Sequence, residues 1–360
     1  MKTFHGSYEE RDVTLLLEPI RVTADGVEPG AIQPPGATDF ATQIASEEPM
    51  GDLYMDFFFS AVERTKARLA YDVAQVARAL AARPGEEVVL VSLVRAGTPV
   101  GVLLQRALYM LGRRSVHYSI SCTRKRGSDP NAMDTILQQH KQENLVFIDG
   151  WTGKGYIATE LAEAMHSYNQ TRGTSIDPTL VVLADLAGVS GIAASADDYL
   201  IPAAMLRSIV CGLISASMLN PKEGLADTVL FYEHLRAQDC SRYFVDVIAD
   251  ETRLALARLA GTPVIDWNDA QRRQAKLVSD AFVDEVMAQY DITDRNKVKP
   301  GICEANRALL TRPNEMQLIL RDPEADADDV ANLLYLAQRK GIKVSRNATL
   351  PYRAAVLLKA

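Results

Sequence analysis

Residues 144–160, Asn-Leu-Val-Phe-Ile-Asp-Gly-Trp-Thr-Gly-Lys-Gly-Tyr-Ile-Ala-Thr-Glu, decide the fold. The four apolar residues at 145–148 predict a strand buried on both faces, because a parallel sheet covered by helices needs continuous apolar strands. This strand ends at Asp149, and a short glycine-rich loop at residues 152–155 then leads into apolar residues with near-helical spacing. The stretch therefore predicts a strand, a glycine-rich loop and a helix, in that order.

The loop between this strand and this helix is a predicted phosphate site. Backbone N–H groups of such a loop point at one spot, and the positive end of the helix dipole adds to them. The Asp149 carboxylate suits ribose hydroxyls or a magnesium ion. The Gly-x-x-x-x-Gly-Lys-Ser/Thr loop is excluded, because Gly150 and Gly153 stand too close together and Gly155 replaces the metal-binding hydroxyl. A tight turn without a ligand is the alternative.

Length and composition predict a folded chain of more than one domain. The 360 residues exceed a typical single core, and 48% hydrophobic with 24% charged residues is ordinary for a globular protein. The four cysteines form no Cys-x-x-Cys pair, which favours neither a zinc site nor a disulfide framework. The sequence shows neither a signal peptide nor an apolar run of membrane-spanning length, so we expect a cytoplasmic protein without a membrane partner. We also expect a homo-oligomer.

Strand and helix signals alternate along the middle of the chain, which predicts the α/β class with a mainly parallel sheet and helices on both faces. The predicted strands are residues 87–94, 115–121, 145–149 and 179–185, and the predicted helices are residues 99–111 and 154–168. Upstream, residues 12–22 predict one strand, and residues 53–83 predict a long helix that is broken or bent. Ligands of such sheets bind beyond the carboxyl ends of the strands.

The same signals divide the chain into four parts. They are an N-terminal accessory segment (residues 1–50), an α/β domain (51–265), a helical linker (266–295) and a small C-terminal α/β domain (296–360). The last part holds eleven Lys and Arg against seven Asp and Glu, net +4, whereas the rest of the chain carries −11. This imbalance favours an anionic partner for the C-terminal domain, and a chance excess on a solvated surface is the alternative.

The C-terminal domain has its own run of helices and strands. The predicted helices are residues 304–310 and 327–339, and the predicted strands are residues 317–320, 342–344 and 354–358. Arg307, Arg312, Arg346 and Arg353 could line one edge of this unit. A dimerisation or lid domain with ordinary surface charges is the alternative to a domain with an anionic partner, because no aromatic stacking platform is visible.

Two basic loops follow other predicted strands of the sheet. Arg95 stands beside a small, flexible Ala-Gly backbone, which suits a diphosphate. Arg124, Lys125 and Arg126 form a cationic cluster that could close over a polyanion and exclude water, and a solvated basic loop is the alternative. With the glycine-rich loop, these segments predict a site for a sugar that carries several phosphates.

These residues resemble the fingerprint of the type I phosphoribosyltransferases. Residues 147–155, Phe-Ile-Asp-Gly-Trp-Thr-Gly-Lys-Gly, are similar to that family's apolar strand, acidic pair, short spacer and Thr-Gly-Gly-Thr or Thr-Gly-Lys-Thr loop. Here Asp149 stands without a second acidic residue, and the spacer is shorter. The resemblance implies that the loop holds the 5-phosphate of phosphoribosyl diphosphate and that Asp149 holds the ribose hydroxyls. It also implies that residues 93–97 form the diphosphate loop, where a strained peptide commonly precedes a glycine.

The resemblance implies magnesium-dependent transfer of a phosphoribosyl group to a nitrogenous acceptor. The implied catalytic residues are Asp149, which would also bind Mg²⁺, and Arg124, Lys125 and Arg126. The implied phosphoribosyl diphosphate site comprises Arg95, Ala96, Gly97, Gly150, Trp151, Thr152, Gly153, Lys154 and Gly155. Asp185 and Asp198, near the ends of later strands, are candidates for contacting the acceptor, with surface turns as the alternative role. An inactive nucleotide- or RNA-binding module is the alternative function, supported by the single acidic residue.

More narrowly, the chain resembles the StiP family, which is named for a cysteine protease and found beside bacterial tellurium-resistance and stress operons. The segments that carry this resemblance are residues 6–8, 149–155, 201–215 and 299–312. The family has also been interpreted as a phosphoribosyltransferase fused to a Pelota-type, L7Ae-like RNA-binding domain. The resemblance therefore implies a nucleoside-like product and a structured RNA partner, with Arg307, Arg346 and Arg353 as RNA contacts.

Protease activity would need an activated thiolate beside a histidine. The odd spacing between His117 and Cys122 points their side chains to opposite faces of a strand. Cys211 lies in an apolar helical run, and Cys303 begins a helix of the C-terminal domain. We therefore expect the cysteines to be dispensable for activity.

Overall fold

Strands and helices alternate through most of the chain. The computed structural model describes residues 4–27, 47–123, 127–218, 227–311, 316–321 and 327–358. The strands in this part are β1 Thr14–Leu15, β2 Glu18–Thr23, β3 Gly26–Val27, β4 Val88–Leu93, β5 Ser115–Ile120, β6 Cys122–Thr123, β7 Gly127–Ser128, β8 Leu145–Ile148, β9 Trp151–Thr152, β10 Leu180–Asp185, β11 Ile192–Ser195, β12 Thr228–Tyr232, β13 Val298–Pro300, β14 Met316–Leu320, β15 Lys343–Arg346 and β16 Ala354–Leu358. The α-helices are α1 Asp52–Ala81, α2 Gly97–Met110, α3 Pro130–Leu137, α4 Tyr156–Arg172, α5 Ser241–Arg258, α6 Asp269–Gln289, α7 Ile302–Thr311 and α8 Ala327–Arg339.

A seven-stranded parallel sheet forms the centre of the described structure. Its strand order is β1-β5-β4-β8-β10-β11, and β9 continues the line of β8 by pairing with the far end of β10. Every pairing in this sheet is parallel. The carboxyl ends of β4, β8 and β10 therefore meet at one edge, which confirms the predicted mainly parallel α/β class.

Helices cover both faces of this sheet. Side chains alternate along β4, so Val88 and Leu90 share one core cluster with residues of α1, α2 and α5. Val89 and Val91 face the opposite way and share a second cluster with residues of α3 and α4. All six residues of β4 and of β10 are buried, as a strand packed on both faces requires.

Two predictions in the first third of the chain were wrong in detail. The helix predicted as broken or bent is a single uninterrupted α-helix, α1, whose sequence contains neither glycine nor proline. The single strand predicted at residues 12–22 is two strands in different sheets. The first, β1, extends the central sheet next to β5, and β2 pairs with β12.

The C-terminal unit is a four-stranded sheet of order β13-β16-β14-β15 with α7 and α8, as its predicted small α/β fold requires. Its buried apolar residues belong to clusters that also contain residues from other parts of the chain. Leu309 of α7 belongs to the same apolar cluster as the face of the central sheet that carries Val88, and Phe282 of α6 packs with Tyr352. The unit is therefore docked against the parallel sheet through buried apolar surface. None of the helices within the described ranges is both long and apolar enough to cross a membrane.

Candidate functional site

A cavity of about 540 Å³ opens at the carboxyl ends of β4 and β8. Loops after β4 and β8 form one wall, and α7 of the C-terminal unit forms part of another. This is the edge of a parallel sheet at which ligands bind in α/β proteins. The strand ends thus place several of the predicted site residues around one space.

Most of the predicted phosphosugar residues lie at this cavity. Those that line it are Arg95, Ala96, Asp149, Trp151, Thr152, Gly153, Lys154 and Gly155. Gly97 lies just behind, where any Cβ would clash with the carbonyl oxygen of Ile148, so the two loops approach each other closely. Gly150 lies against Ala96 at the same contact between the two loops. The predicted cluster of Arg124, Lys125 and Arg126 falls outside the described residues.

Asp149 is buried at the cavity with an incompletely satisfied carboxylate. Its Oδ1 accepts a hydrogen bond of 2.8 Å from the backbone N–H of Gly150, and within the described residues its Oδ2 accepts none. Burial raises the pKa of Asp149 to about 6, while Arg307 lowers this pKa and Glu304 raises it. An oxygen in this state can accept a hydrogen bond from a ligand hydroxyl or bind a cation.

Arg95 belongs to the loop after β4, and a buried ion pair holds its side chain. Its Nη1 lies 2.9 Å from Glu47 Oε1, and Arg207 Nε lies 3.0 Å from the same carboxylate oxygen. The Val94–Arg95 peptide bond is cis. Glu47 therefore fixes two cations in the wall of the cavity.

The loop of residues 151–155 is held from behind by Asp185. The Thr152 hydroxyl donates to Asp185 Oδ1 at 2.6 Å, and Ser190 and Trp267 donate to Oδ2 at 2.6 and 3.2 Å. Asp185 is fully buried and does not line the cavity. Asp185 fixes this loop in place. Because it does not line the cavity, its position does not support the predicted contact with the nitrogenous acceptor.

Asp198 holds part of the C-terminal unit in place by hydrogen bonds, as Asp185 holds the loop. Its two carboxylate oxygens accept hydrogen bonds from the backbone N–H groups of Ile302 and Arg353 at 2.9 and 2.7 Å. Burial raises the pKa of Asp198 to about 6. Asp198 caps the start of α7 and does not line the cavity.

The wall formed by α7 was not predicted from sequence. Glu304 Oε1 lies 3.3 Å from Trp151 Nε1, and the Arg307 guanidinium lies 5.1 Å from the centre of the Trp151 ring. Lys154 Nζ donates to Val298 O at 3.1 Å. Arg307, predicted as an RNA contact, thus faces this cavity. Arg353 is ion-paired with Asp329, and Arg346 is exposed on the edge strand β15. Arg312, predicted on the same edge, falls outside the described residues.

Cations outnumber carboxylates among the described lining residues. The cations are Arg95, Lys154, Arg207, Lys299 and Arg307, and the carboxylates are Glu47, Asp149 and Glu304. With all of them ionised, the lining carries an excess of two positive charges. Sequence reasoning missed Glu47, Arg207, Lys299 and Glu304. The last three lie in the segments at 201–215 and 299–312 that carry the family resemblance, so recognition of the pattern was the available signal.

The four cysteines lie in surroundings that keep their thiols protonated. Burial raises the pKa of Cys122 to about 12 and that of Cys240 to about 11, and it raises the pKa of Cys211 and Cys303 as well. In the described part of the chain, which includes every histidine, no hydrogen bond joins a cysteine to a histidine. Only Cys122 lines the cavity. This geometry lacks the thiolate–histidine pair of a cysteine protease.

The carboxylates fit a magnesium ion only in part. Over the described ranges, no group of three or more His, Cys, Asp or Glu side chains could hold a metal. Magnesium, however, often binds through one or two carboxylates together with phosphate oxygens of a substrate. Asp149 and Glu304 line the same cavity, so the residues fit an ion that arrives with a polyphosphate ligand.

These features define an α/β protein with a cation-lined cavity at the carboxyl ends of two of its parallel strands, and comparison with known proteins gives its family. Residues 6–249 match the family described as tellurite-like stress resistance cysteine protease StiP. The chain is 36% identical over 370 residues to the cysteine protease StiP of Acinetobacter baylyi, covering 99% of this chain and 94% of that protein. The chain belongs to the StiP family, as its sequence indicated.

Two further comparisons each cover part of the chain. Residues 277–360 match the PELOTA RNA binding domain. Among solved structures, a hypoxanthine phosphoribosyltransferase from Trypanosoma cruzi in complex with its product IMP aligns with a TM-score of 0.29 and 15% identity, covering 56% of this chain and 93% of that one.

Proposed function

We propose that this chain is a phosphoribosyltransferase, which uses phosphoribosyl diphosphate to attach a ribosyl phosphate to a nitrogenous acceptor. The observation that carries the proposal is the convergence of Arg95, Asp149 and Lys154 on one cationic cavity. Those residues come from the ends of two neighbouring parallel strands and from the start of a helix. A ligand with a phosphate at one end, a diphosphate at the other and hydroxyls between matches that set of groups.

Each part of the ligand has a matching group in the cavity. The first N–H groups of an α-helix lack partners within the helix, and the start of α4 lines the cavity, which suits the 5-phosphate. Lys154 adds a positive charge at the same loop. Arg95 and the backbone of residues 96–97 suit the diphosphate, and Asp149 Oδ2 suits a ribose hydroxyl.

The reaction would be a substitution at C1 of the ribose. The acceptor nitrogen forms the new C1–N bond as the bond from C1 to the diphosphate oxygen breaks, and the diphosphate leaves with that electron pair. The proton lost by the nitrogen passes to the solvent. Arg95 stabilises the charge that grows on the leaving diphosphate, and the Asp149 carboxylate favours the positive charge that develops on the ribose. Magnesium would neutralise diphosphate charge when bound, with Asp149 and Glu304 as its candidate protein ligands.

Calorimetry of the full-length chain tests the binding step. Phosphoribosyl diphosphate with Mg²⁺ should bind, and Asp149→Asn and Lys154→Ala should each weaken binding roughly ten- to hundredfold, because each loses a charge-assisted contact. Lys343→Ala is the matched control, since Lys343 is exposed on the edge strand β15. Undetectable binding to the wild type, or unchanged affinity in both site variants, would overturn the proposal.

The name of the family supplies a second candidate, a cysteine protease. The raised thiol pKa values and the missing histidine partner oppose it. Cys122 is the cysteine to test, because it lines the cavity. If Cys122→Ser abolished an activity of the full chain while the thermal midpoint stayed unchanged, the protease function would replace the transferase function.

We also propose that the C-terminal unit binds structured RNA, as the matched domain family suggests. Lys343 and Arg346 are exposed on β15, at the edge of the sheet. If these cations neutralise phosphates, affinity should fall steeply as salt rises, and removing each one should reduce the salt slope by about one. A filter-binding salt titration of the full chain, with Lys343→Gln and Arg346→Gln against Arg258→Gln on α5, tests this. No binding at low salt would contradict it.

A further inference from the structure

We propose that Glu304 of α7 contacts the 2-hydroxyl of the ribose in the bound ligand while Asp149 contacts the neighbouring hydroxyl, so that the C-terminal unit completes the phosphosugar site. The inference rests on the proposed function, and it assigns a specificity-determining residue to a different part of the chain. Its starting point is that α7 forms a wall of the cavity.

Glu304 is held against the phosphate loop by direct contacts. A Cβ placed on Gly153 would lie 2.7 Å from Glu304 Cγ, so the absence of a side chain at Gly153 lets α7 approach the loop. Trp151 Nε1 donates to Glu304 Oε1 at 3.3 Å. In the described part of the chain, Glu304 Oε2 accepts no hydrogen bond, and this oxygen can therefore accept one from a ligand.

Asp149 and Glu304 make a pair of acceptors suited to a sugar. The strand end supplies one carboxylate, since Gly150 follows Asp149 directly. Both carboxylates line the same cavity, and Glu304 is hydrogen-bonded to Trp151, two residues after Asp149. Two carboxylates at one cavity, each with one unused oxygen, match two neighbouring hydroxyls, because each hydroxyl donates one hydrogen bond.

The position of Glu304 depends on how the C-terminal unit is docked. Asp198, from the segment after β11, accepts hydrogen bonds from the N–H groups of Ile302 and Arg353. Cys303 Sγ donates to Tyr199 O and accepts from Ile201 N, at 3.4 and 3.3 Å. These buried contacts set α7 against the sheet.

Ligand binding and docking of α7 are therefore coupled. A ligand that contacts Glu304 binds more tightly when α7 is docked. It therefore stabilises the docked arrangement by the same free energy that docking contributes to its affinity. Amide exchange in residues 302–311 should slow when the ligand binds. A ligand without the hydroxyl contact should give weaker protection of the same residues.

The test compares ribose 5-phosphate with 2-deoxyribose 5-phosphate in calorimetry of the full chain. Glu304→Gln should weaken binding of ribose 5-phosphate roughly tenfold or more, as loss of a charge-assisted hydrogen bond does, and it should weaken binding of the deoxy sugar less. Glu285→Gln, an exposed carboxylate of α6, is the control and should change neither affinity. A merely structural role would shift both ligands equally.

The outcomes separate this inference from the proposed function. If wild type binds ribose 5-phosphate and Asp149→Asn weakens that binding while Glu304→Gln does not, Glu304 is not a ligand contact and the inference is overturned. Equal losses for the two sugars, or unchanged exchange in residues 302–311 on binding, would also overturn it. If wild type binds neither these sugars nor phosphoribosyl diphosphate, the proposed function itself fails.

Discussion

Asp149 and Asp198 are both buried, and burial raises the pKa of each to about 6, yet their surroundings differ. Asp198 accepts two backbone hydrogen bonds, one on each oxygen, and fixes the start of α7. Asp149 accepts one, from Gly150, and lines a cavity. Burial and a raised pKa alone therefore do not identify a binding residue. Asp149 differs from Asp198 in having one carboxylate oxygen that accepts no hydrogen bond from the described residues, and we propose that this oxygen contacts the ligand.

The largest expected effect is on stability, at Asp198. Asp198→Ala leaves the amides of Ile302 and Arg353 buried without partners, at a cost of about 1–3 kcal/mol for each. Urea unfolding of the variant should show this loss. Asp197→Ala is the control, because Asp197 is exposed and its pair with Arg68 contributes little. Equal stability of the two variants would show that the two amides do not depend on Asp198.

Asp149→Asn should have the opposite effect on stability above pH 6. The pKa of Asp149 is raised in the folded chain, so ionisation of this carboxyl lowers the free energy of unfolding as the pH rises from about 4 to about 6. The loss is about 1.4 kcal/mol for each pH unit between the unfolded and folded pKa values. An amide side chain at this position would avoid that loss and keep an oxygen for the Gly150 N–H. Urea unfolding should find the variant more stable at pH 8 and equal to the wild type near pH 4. A variant less stable at pH 8 would contradict the account of Asp149.

Ligand affinity should depend on pH through Asp149. An ionised carboxylate accepts hydrogen bonds from hydroxyls better than a neutral one, so affinity for phosphoribosyl diphosphate should rise as the pH passes through about 6. Arg307 and Glu304 act on the same carboxylate in opposite directions. The ligand phosphates also titrate, and calorimetry of Asp149→Asn over the same pH range gives their contribution. An identical pH profile in both proteins would remove Asp149 from the site.

The smallest expected effect is at the cysteines. Cys122→Ser should change affinity for phosphoribosyl diphosphate by less than about twofold, because a protonated thiol offers only a weak hydrogen bond. Cys211→Ser and Cys240→Ser should be indistinguishable from wild type in affinity. Calorimetry checks this, and a large loss in Cys122→Ser would make the thiol a ligand contact.

Local sequence signals were sufficient for the loop after β8. An apolar run ending in an acidic residue and then in glycines specifies a strand, a turn and a helix start within a few residues, and the structure has β8, the loop and α4 there. Parallel pairing then brings Arg95 and Asp149 to one edge, since neighbouring strands end together. Those inferences need only short-range periodicity and the topology of a parallel sheet.

The roles of Asp185 and Glu304 depend on tertiary contacts that local sequence patterns do not encode. Asp185 stands at the end of a strand much as Asp149 does, and the sequence offers no sign that Thr152, Ser190 and Trp267 would donate hydrogen bonds to its oxygens. Glu304 is far from Asp149 in sequence and reaches the cavity only because α7 docks on the sheet. Such positions are set by tertiary packing, so a pattern in one segment cannot locate them.

The central claim is that the cavity at the ends of β4 and β8 binds a phosphosugar. The most direct test is a crystal structure of the chain soaked with phosphoribosyl diphosphate and magnesium. Our account predicts the 5-phosphate at the loop of residues 153–155, the diphosphate beside Arg95 and a ribose hydroxyl within hydrogen-bond distance of Asp149. An ordered ligand found only elsewhere, with this loop closed against protein, would contradict it.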